Sequence, residues 1–220
     1  MKLALYVLGL QLFVFSGCTT TVKKKPFYAP ACEKKVYNRG APPKQFLLDV
    51  YDFIVDHKTD ALLVGQNNEP LDVYKYLGLD ASNPAVLFEL LRVSAAMESS
   101  WDWAEGRDKS ASNYSWYTQE AGIFQTSPNS HVYAPNGKCC ARWGYLDTLM
   151  GIKPTQNNPE NQTWNKFMKD YANKETIIKH HAFMLRHNYR HYGPMINKNL
   201  VASNLSNECI GQIETLLKGE

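Results

Sequence analysis

Residues 84–100 read PAVLFELLRVSAAMESS, and Asn83-Pro84 at their start is a helix-opening pair. The Asn side chain can accept from a free N–H of the first turn, and Pro fits the first helical position because its missing donor is not needed there. At about 100° per residue, Leu87, Leu91, Ser94 and Glu98 fall on one narrow arc, flanked by Leu90 and Ala95. Glu98 therefore continues the apolar stripe. A carboxylate in that position loses water, and desolvation raises its pKa. A carboxyl group still protonated near neutral pH is what protonation of a glycosidic oxygen requires.

Working outward, helical spacing recurs on both sides. Residues 44–57 align Phe46, Leu47, Val50, Tyr51 and Ile54. Asn158-Pro159 repeats the opening device ahead of Trp164, Phe167, Met168 and Tyr171 on one face. Residues 175–192 align Ile178, His181, Leu185, then Asn188 or Tyr189, and Tyr192, and stop at Gly193-Pro194. Residues 204–218 align Leu205, Cys209, Ile213 and Leu216 or Leu217. Between 103 and 158 the pattern breaks into Gly, Asn, Ser, Pro and aromatics, the composition of loops, short strands and a binding surface. The globule is expected to be mainly α. His180, His181, His187 and His191 also recur at helical spacing; without an adjacent carboxylate they read as surface histidines.

Twenty-four positions after Glu98 stands Ala121-Gly122-Ile123-Phe124-Gln125-Thr126-Ser127. A helix ending in Glu98-Ser99 followed by a Gly-hydrophobic-hydrophobic-Gln turn resembles the lysozyme-like superfamily, in which goose-type lysozymes and soluble lytic transglycosylases carry Gly-Leu-Met-Gln. The resemblance covers about residues 84–195. Gly106–Asn113 and His191-Tyr192-Gly193-Pro194 resemble a less studied bacterial branch of the same superfamily. It implies an α+β lysozyme-like fold, a helical lobe with short strands or irregular loops lining a saccharide cleft. It also implies Glu98 as the catalytic acid, with Gly122, Ile123, Phe124 and Gln125 along the cleft. Ile123-Phe124 replaces Leu-Met, and Ser127 stands where goose-type enzymes have an Asp. The second carboxylate is therefore not carried over. Its candidates are Asp102, Glu105, Asp108 and Glu120; Glu120 is favoured because, two residues before Gly122 in an extended segment, it faces the same side. Asp108, Tyr117 and Tyr192 join the substrate-binding candidates. Trp101, Trp103, Tyr114, Trp116, Tyr117 and Tyr133 offer faces on which sugar rings can stack.

The N-terminus suggests an address. Lys2 precedes the apolar run LALYVLGLQLFVF, residues 3–15. At ~1.5 Å per residue such a helix falls short of a bilayer core of ~30 Å, so the run reads as the core of a signal peptide. Phe15-Ser16-Gly17-Cys18 resembles a bacterial lipobox, which implies cleavage after residue 17 and acylation of Cys18. The expected organisation is a signal peptide over 1–17, a lipid-tethered linker over 18–45 and the lysozyme-like domain over 46–220. Thr19, where an Asp would retain the protein in the inner membrane, implies the outer membrane, facing the periplasm. Of the five cysteines, four then remain: Cys32, Cys139, Cys140 and Cys209. An even number in an exported chain suggests disulfides. Adjacent Cys139 and Cys140 rarely bridge each other, so each is expected to pair with Cys32 or Cys209; a metal site including His131 is the rival, without Cys-x-x-Cys spacing.

Twenty-four Lys plus Arg against 21 Asp plus Glu give a formal charge of +3, too small an excess to argue for nucleic acid. A 44% hydrophobic content suffices for one core. The expected activity is cleavage of the β-1,4 MurNAc–GlcNAc bond of peptidoglycan by a monomer without cofactor. Both outcomes stay open, hydrolysis with a second carboxylate and transglycosylation in which Glu98 serves as acid and then base. The alternative is a non-catalytic peptidoglycan-binding or lysozyme-inhibiting lipoprotein on the same scaffold. Acids at 102, 105, 108 and 120 would also favour sugars bearing a free amine.

Overall fold

In the computed structural model, which describes residues 26–66, 72–106, 118–128, 162–187 and 193–219, the chain is mainly helical. The described α-helices are α1 (Lys44–His57), α2 (Val73–Leu77), α3 (Pro84–Ser99), α4 (Gln162–Lys169), α5 (Lys174–His187), α6 (Lys198–Asn204) and α7 (Asn207–Leu217). Three short 3-10 turns, Pro30–Glu33, Tyr171–Asn173 and Pro194–Ile196, join them. No strand occurs among the described residues, and their β structure is one isolated antiparallel bridge between Ala121 and Thr126. No described helix is long and apolar enough to cross a membrane.

Helix α3 is the central element, packed by α1, α5 and α7. Asn83 caps it as its sequence requires, its Oδ1 accepting from Ala85 N–H at 2.9 Å. Every residue from Ala85 to Met97 is buried, so the apolar arc of Leu87 and Leu91 is only part of what α3 hides. Glu89 and Arg92 of this helix pair with each other inside the protein. Arg92 donates to both Glu89 oxygens at 2.6 and 2.7 Å, and Glu89 also accepts from Ser206 N–H at 2.7 Å, at the start of α7. A charged pair one helical turn apart can be buried once each of its members is hydrogen-bonded.

Residues 26–43 do not project as a tether. Ala29, Ala31, Cys32 and Val36 are buried, and Ala31 N–H donates to Gln212 Oε1 at 2.9 Å on α7. Arg92 Nη1 donates to the Lys34 carbonyl at 3.2 Å, which ties the arm to α3. The globule thus starts well before residue 46, a boundary that falls inside α1, and residues 26–43 belong to it and not to the linker read over 18–45. Cys32 is bonded to Cys209, with their Cα atoms 4.7 Å apart. This corrects the expected pairing of Cys32 and Cys209 with Cys139 and Cys140. The sequence separation of 177 residues hid it, because nothing local signals that the arm lies on α7. Segment 1–17, Cys18, His131, Cys139 and Cys140 lie outside the described residues.

The disulfide closes nearly the whole chain, so its removal restores much loop entropy to the unfolded state. Replacing both Cys32 and Cys209 by Ala is expected to lower the unfolding free energy by about 2–5 kcal/mol. Urea denaturation of the two proteins measures it, and coincident midpoints would show that the arm holds without the bond.

Helix α5 corrects another expectation. His180 and His181 are buried, not on the surface. Arg186, one and a half turns on, is buried as well. It donates to Asp72 Oδ2 at 3.0 Å, to the Leu63 carbonyl at 2.7 Å and to the Gly65 carbonyl at 2.5 Å, which secures the segment ahead of α2. In α4, Trp164 and Met168 are buried as their spacing predicts, whereas Tyr171 lies beyond the helix in the following 3-10 turn and is exposed.

Candidate active site

Helix α3 ends abruptly just past Glu98. Ser100 (φ 57°) and Trp101 (φ 65°) are successive left-handed residues without being glycine. Each such residue costs on the order of 1–2 kcal/mol, so surrounding contacts must hold it. Ser100 N–H bonds to the Ala96 carbonyl at 3.1 Å and Trp101 N–H to the Ala95 carbonyl at 3.2 Å. The Trp101 ring turns back into the core, where Nε1 donates to the Arg92 carbonyl at 3.2 Å. Trp101 is therefore an anchor for the end of α3 and not a sugar-stacking face.

The Gly-Ile-Phe-Gln segment forms a tight loop beside that end. Ala121 and Thr126 exchange two backbone hydrogen bonds, 3.2 and 3.1 Å, which close residues 122–125 into a turn. The Gly122 carbonyl accepts from both the backbone N–H and the side-chain Nε2 of Gln125, each at 3.0 Å. Gln125 (φ 43°) thus pins the turn. Ser99 Oγ donates to the Ile123 carbonyl at 2.7 Å, so the residue after Glu98 is tied directly to the loop. On the other side the loop rests on α4, where Trp164 Nε1 donates to the Thr126 carbonyl at 2.8 Å. Gly122 is required by both geometry and space: its φ is +76°, and a Cβ there would lie 2.2 Å from the Met168 carbonyl oxygen.

The loop differs from expectation in what it shows to solvent. Ile123 and Phe124 are buried, and Gly122 and Gln125 are buried too. Phe124 stacks flat on His181, with ring centroids 4.1 Å apart and planes 2° from parallel. His181 Nε2 lies 2.7 Å from Ser94 Oγ, one turn before Glu98. Burial pushes the His181 pKa down to about 3, so the ring is neutral at ordinary pH. The hydrophobic pair of the motif therefore fastens the loop onto α3 and α5, and its side chains do not face a ligand. The resemblance implied that this segment lies along the cleft, and its Ile123 and Phe124 side chains pack inward.

Glu98 itself is half-buried, and no described residue donates a hydrogen bond to its carboxyl. Its pKa stands well above the usual carboxyl value, first because burial strips water from the anion and second because of the negative charge of Glu120. Its place in the last turn of α3, facing the partial negative charge of the terminal carbonyls, acts in the same direction. Glu120, half-buried, is thus the acid that shares space with Glu98. Of the other candidates, Asp102 is exposed and its Oδ1 accepts from Ala104 N–H at 2.8 Å. Glu105 contributes its backbone carbonyl, which accepts from Gly122 N–H at 2.9 Å. Asp108, Tyr114, Trp116, Tyr117, Tyr133, Tyr189 and Tyr192 lie outside the described residues. Among the described residues no group of His, Cys, Asp and Glu is arranged to hold a metal ion.

The arrangement can deliver a proton from a desolvated acid beside a second carboxylate, at the end of a buried helix and against a rigid turn. No known protein family, no curated protein and no solved structure matches the chain.

Proposed function

We propose that this protein is a peptidoglycan glycosidase that cleaves the β-1,4 MurNAc–GlcNAc bond on a lysozyme-like α+β scaffold, with Glu98 as general acid. The feature that carries the reading is the Glu98 carboxyl, its pKa raised by burial and by the charge of Glu120, beside a loop bonded to its own helix. Protonation of the glycosidic oxygen lets the leaving sugar depart as an alcohol. Glu98, now an anion, can take a proton from the incoming nucleophile, either water or the 6-hydroxyl of the same sugar. Glu120 sustains the high proton affinity of Glu98 before the step and, as an anion, faces the positive charge developing on the sugar during it. In this reading residues 1–17 are a signal peptide and acylated Cys18 places the enzyme at the outer membrane, within reach of the wall.

Zymography on purified walls with wild type and Glu98→Gln tests the proposal. Clearing by wild type alone supports it, equal clearing by both removes Glu98 from the mechanism, and clearing by neither points to a non-catalytic wall-binding protein. Mass spectrometry of the products separates a reducing end, from hydrolysis, from a 1,6-anhydro sugar.

The role of Glu120 has its own signature. Because its charge raises the Glu98 pKa, Glu120→Gln is expected to shift the basic limb of the kcat/KM profile to lower pH. The rate at the optimum is expected to fall on the order of tenfold or more. An unmoved limb would mean that the two carboxyl groups do not sense each other during turnover.

A further inference from the structure

The disulfide-pinned arm, residues 26–40, has two sides, and glycan cleavage uses neither. Its inner side is fastened to the core. Ala29, Ala31, Cys32 and Val36 are buried, and the Phe27 ring packs on Tyr51 of α1 and Phe88 of α3, with centroids 5.1 and 6.3 Å away. From there the arm runs back along α7 to the end of α6. Ala31 N–H meets Gln212, Cys32 is bonded to Cys209, Lys34 Nζ donates to Glu208 Oε2 at 2.5 Å, and Tyr37 N–H donates to Asn204 Oδ1 at 2.7 Å.

The outer side has a different composition. Tyr28 is 75% exposed and Tyr37 55%, the two most exposed large apolar side chains among the described residues. Lys35 and Arg39 are exposed beside them. Tyr37 stands at φ 50°, in the left-handed region that a bulky residue keeps only where its surroundings fix it, here through the bond to Asn204. Tyrosine rings next to Lys and Arg suit the headgroup zone of a bilayer. The ring enters the acyl boundary, the hydroxyl stays with water, and the cations meet anionic lipid. The sequence adds two arguments for this occupant. Lys23, Lys24 and Lys25 directly precede the arm, which adds to the positive charge of Lys35 and Arg39. Cys18 stands nine residues before Phe27, a length that reaches about 30 Å at most. Acylation at Cys18 would hold the arm within that reach of lipid, where docking is intramolecular and a modest surface suffices.

We infer that the outer side of the arm, with Tyr28, Lys35, Tyr37 and Arg39, is a docking surface for an anionic bilayer, which lays the globule on the membrane instead of letting it swing on its anchor. The inference rests on the proposed reading for that anchor, acylated Cys18, and not for glycan cleavage. Glu98 lies ten residues beyond Phe88 on α3, about 15 Å along the helix. The loop beside Glu98 rests on α4 and α5, whereas the arm rests on α1, α3 and α7. A docked arm therefore leaves the acid open to the wall.

Hydrogen exchange of the exported full-length protein, read by mass spectrometry in the presence of excess vesicles, tests it. Phosphatidylcholine vesicles containing about 30% phosphatidylglycerol are expected to slow exchange in arm peptides about threefold or more relative to pure phosphatidylcholine. Salt at about 0.5 M is expected to remove the difference. Each cation near such a surface strengthens binding about fivefold, so Lys35→Glu with Arg39→Glu is expected to abolish the slowing. Tyr28→Ser with Tyr37→Asn, where Asn suits the left-handed backbone, is expected to do the same. Exchange within α3 should match the parent in both variants. No difference between the two kinds of vesicle, equal slowing by purified walls in place of vesicles, or slowing that survives both double substitutions would each overturn the docking surface. Should Tyr37→Asn loosen the arm, seen as faster exchange in α7 without vesicles, the charge-reversed pair decides alone. The mass of the N-terminal peptide reports the acyl group and zymography reports cleavage, so failure of either reading is distinguished from failure of the surface.

Discussion

Replacing Glu98 by Gln is expected to abolish wall cleavage and, at neutral pH, to make the protein harder to unfold. The first effect follows if Glu98 is the proposed proton donor, since general acids contribute on the order of a thousandfold to such rates. The second follows from linkage. The folded-state pKa of Glu98 is raised, so between its unfolded value near 4.5 and its higher folded value the native state binds more protons than the unfolded one. Stability then falls as pH rises through that window, and above it the protein carries a buried anion beside another carboxylate. Each unit of such a shift corresponds to about 1.4 kcal/mol. Gln keeps the shape without the charge. The variant is therefore expected to gain on the order of 1 kcal/mol at about pH 7, the usual size of a relieved active-site conflict. At about pH 4 both proteins are neutral at this position, and the gain should vanish. Urea unfolding at the two pH values measures it. A variant less stable than wild type at neutral pH, or a gain independent of pH, would show that Glu98 is a paired structural carboxylate.

That conflict was legible in the sequence because one helix period placed an acid on an apolar arc. Helices α1, α3, α5 and α7 were legible for the same reason, each having a strong apolar repeat, and α3 an Asn-Pro start as well. The short α2 and α6 were not read. Their signals are local, Asp72 capping α2 with Gly78 closing it in the left-handed region, and Asn197 capping α6, and they carry too little periodicity to stand out. Glu89, Arg92 and Arg186 were not placed from the sequence, because their burial depends on partners on distant segments. His180 and His181 misled, since a neutral imidazole packs against a ring as readily as it meets water. In the candidate site, the position of Glu98 and the identity of the turn were readable, because both depend on near neighbours. The direction of Ile123 and Phe124 depends on α4 and α5, tens of residues later.

Gly122 is where that long-range packing can be tested with a single methyl group. Gly122→Ala is expected to lower stability by about 2–5 kcal/mol and to remove most activity. Two costs add. An alanine at φ +76° costs on the order of 1–2 kcal/mol because its Cβ crowds its own backbone. The same Cβ would stand 2.2 Å from the Met168 carbonyl oxygen and 3.0 Å from its carbon, both backbone atoms that cannot swing aside. Relieving such overpacking costs about 1–3 kcal/mol. The loop must back away from α4, which strains the bond from Gly122 N–H to Glu105 and the bond from Ser99 to Ile123 that together set the loop against Glu98. Gly78 supplies the control, with nearly the same φ of +72° and nothing within 4 Å of its Cβ position. Gly78→Ala should therefore pay only the backbone part and leave wall cleavage intact. Urea midpoints of the two variants separate the contributions. If Gly78→Ala proves as damaging as Gly122→Ala, the close approach to Met168 is not what the glycine serves, and the loop is free to stand elsewhere relative to Glu98.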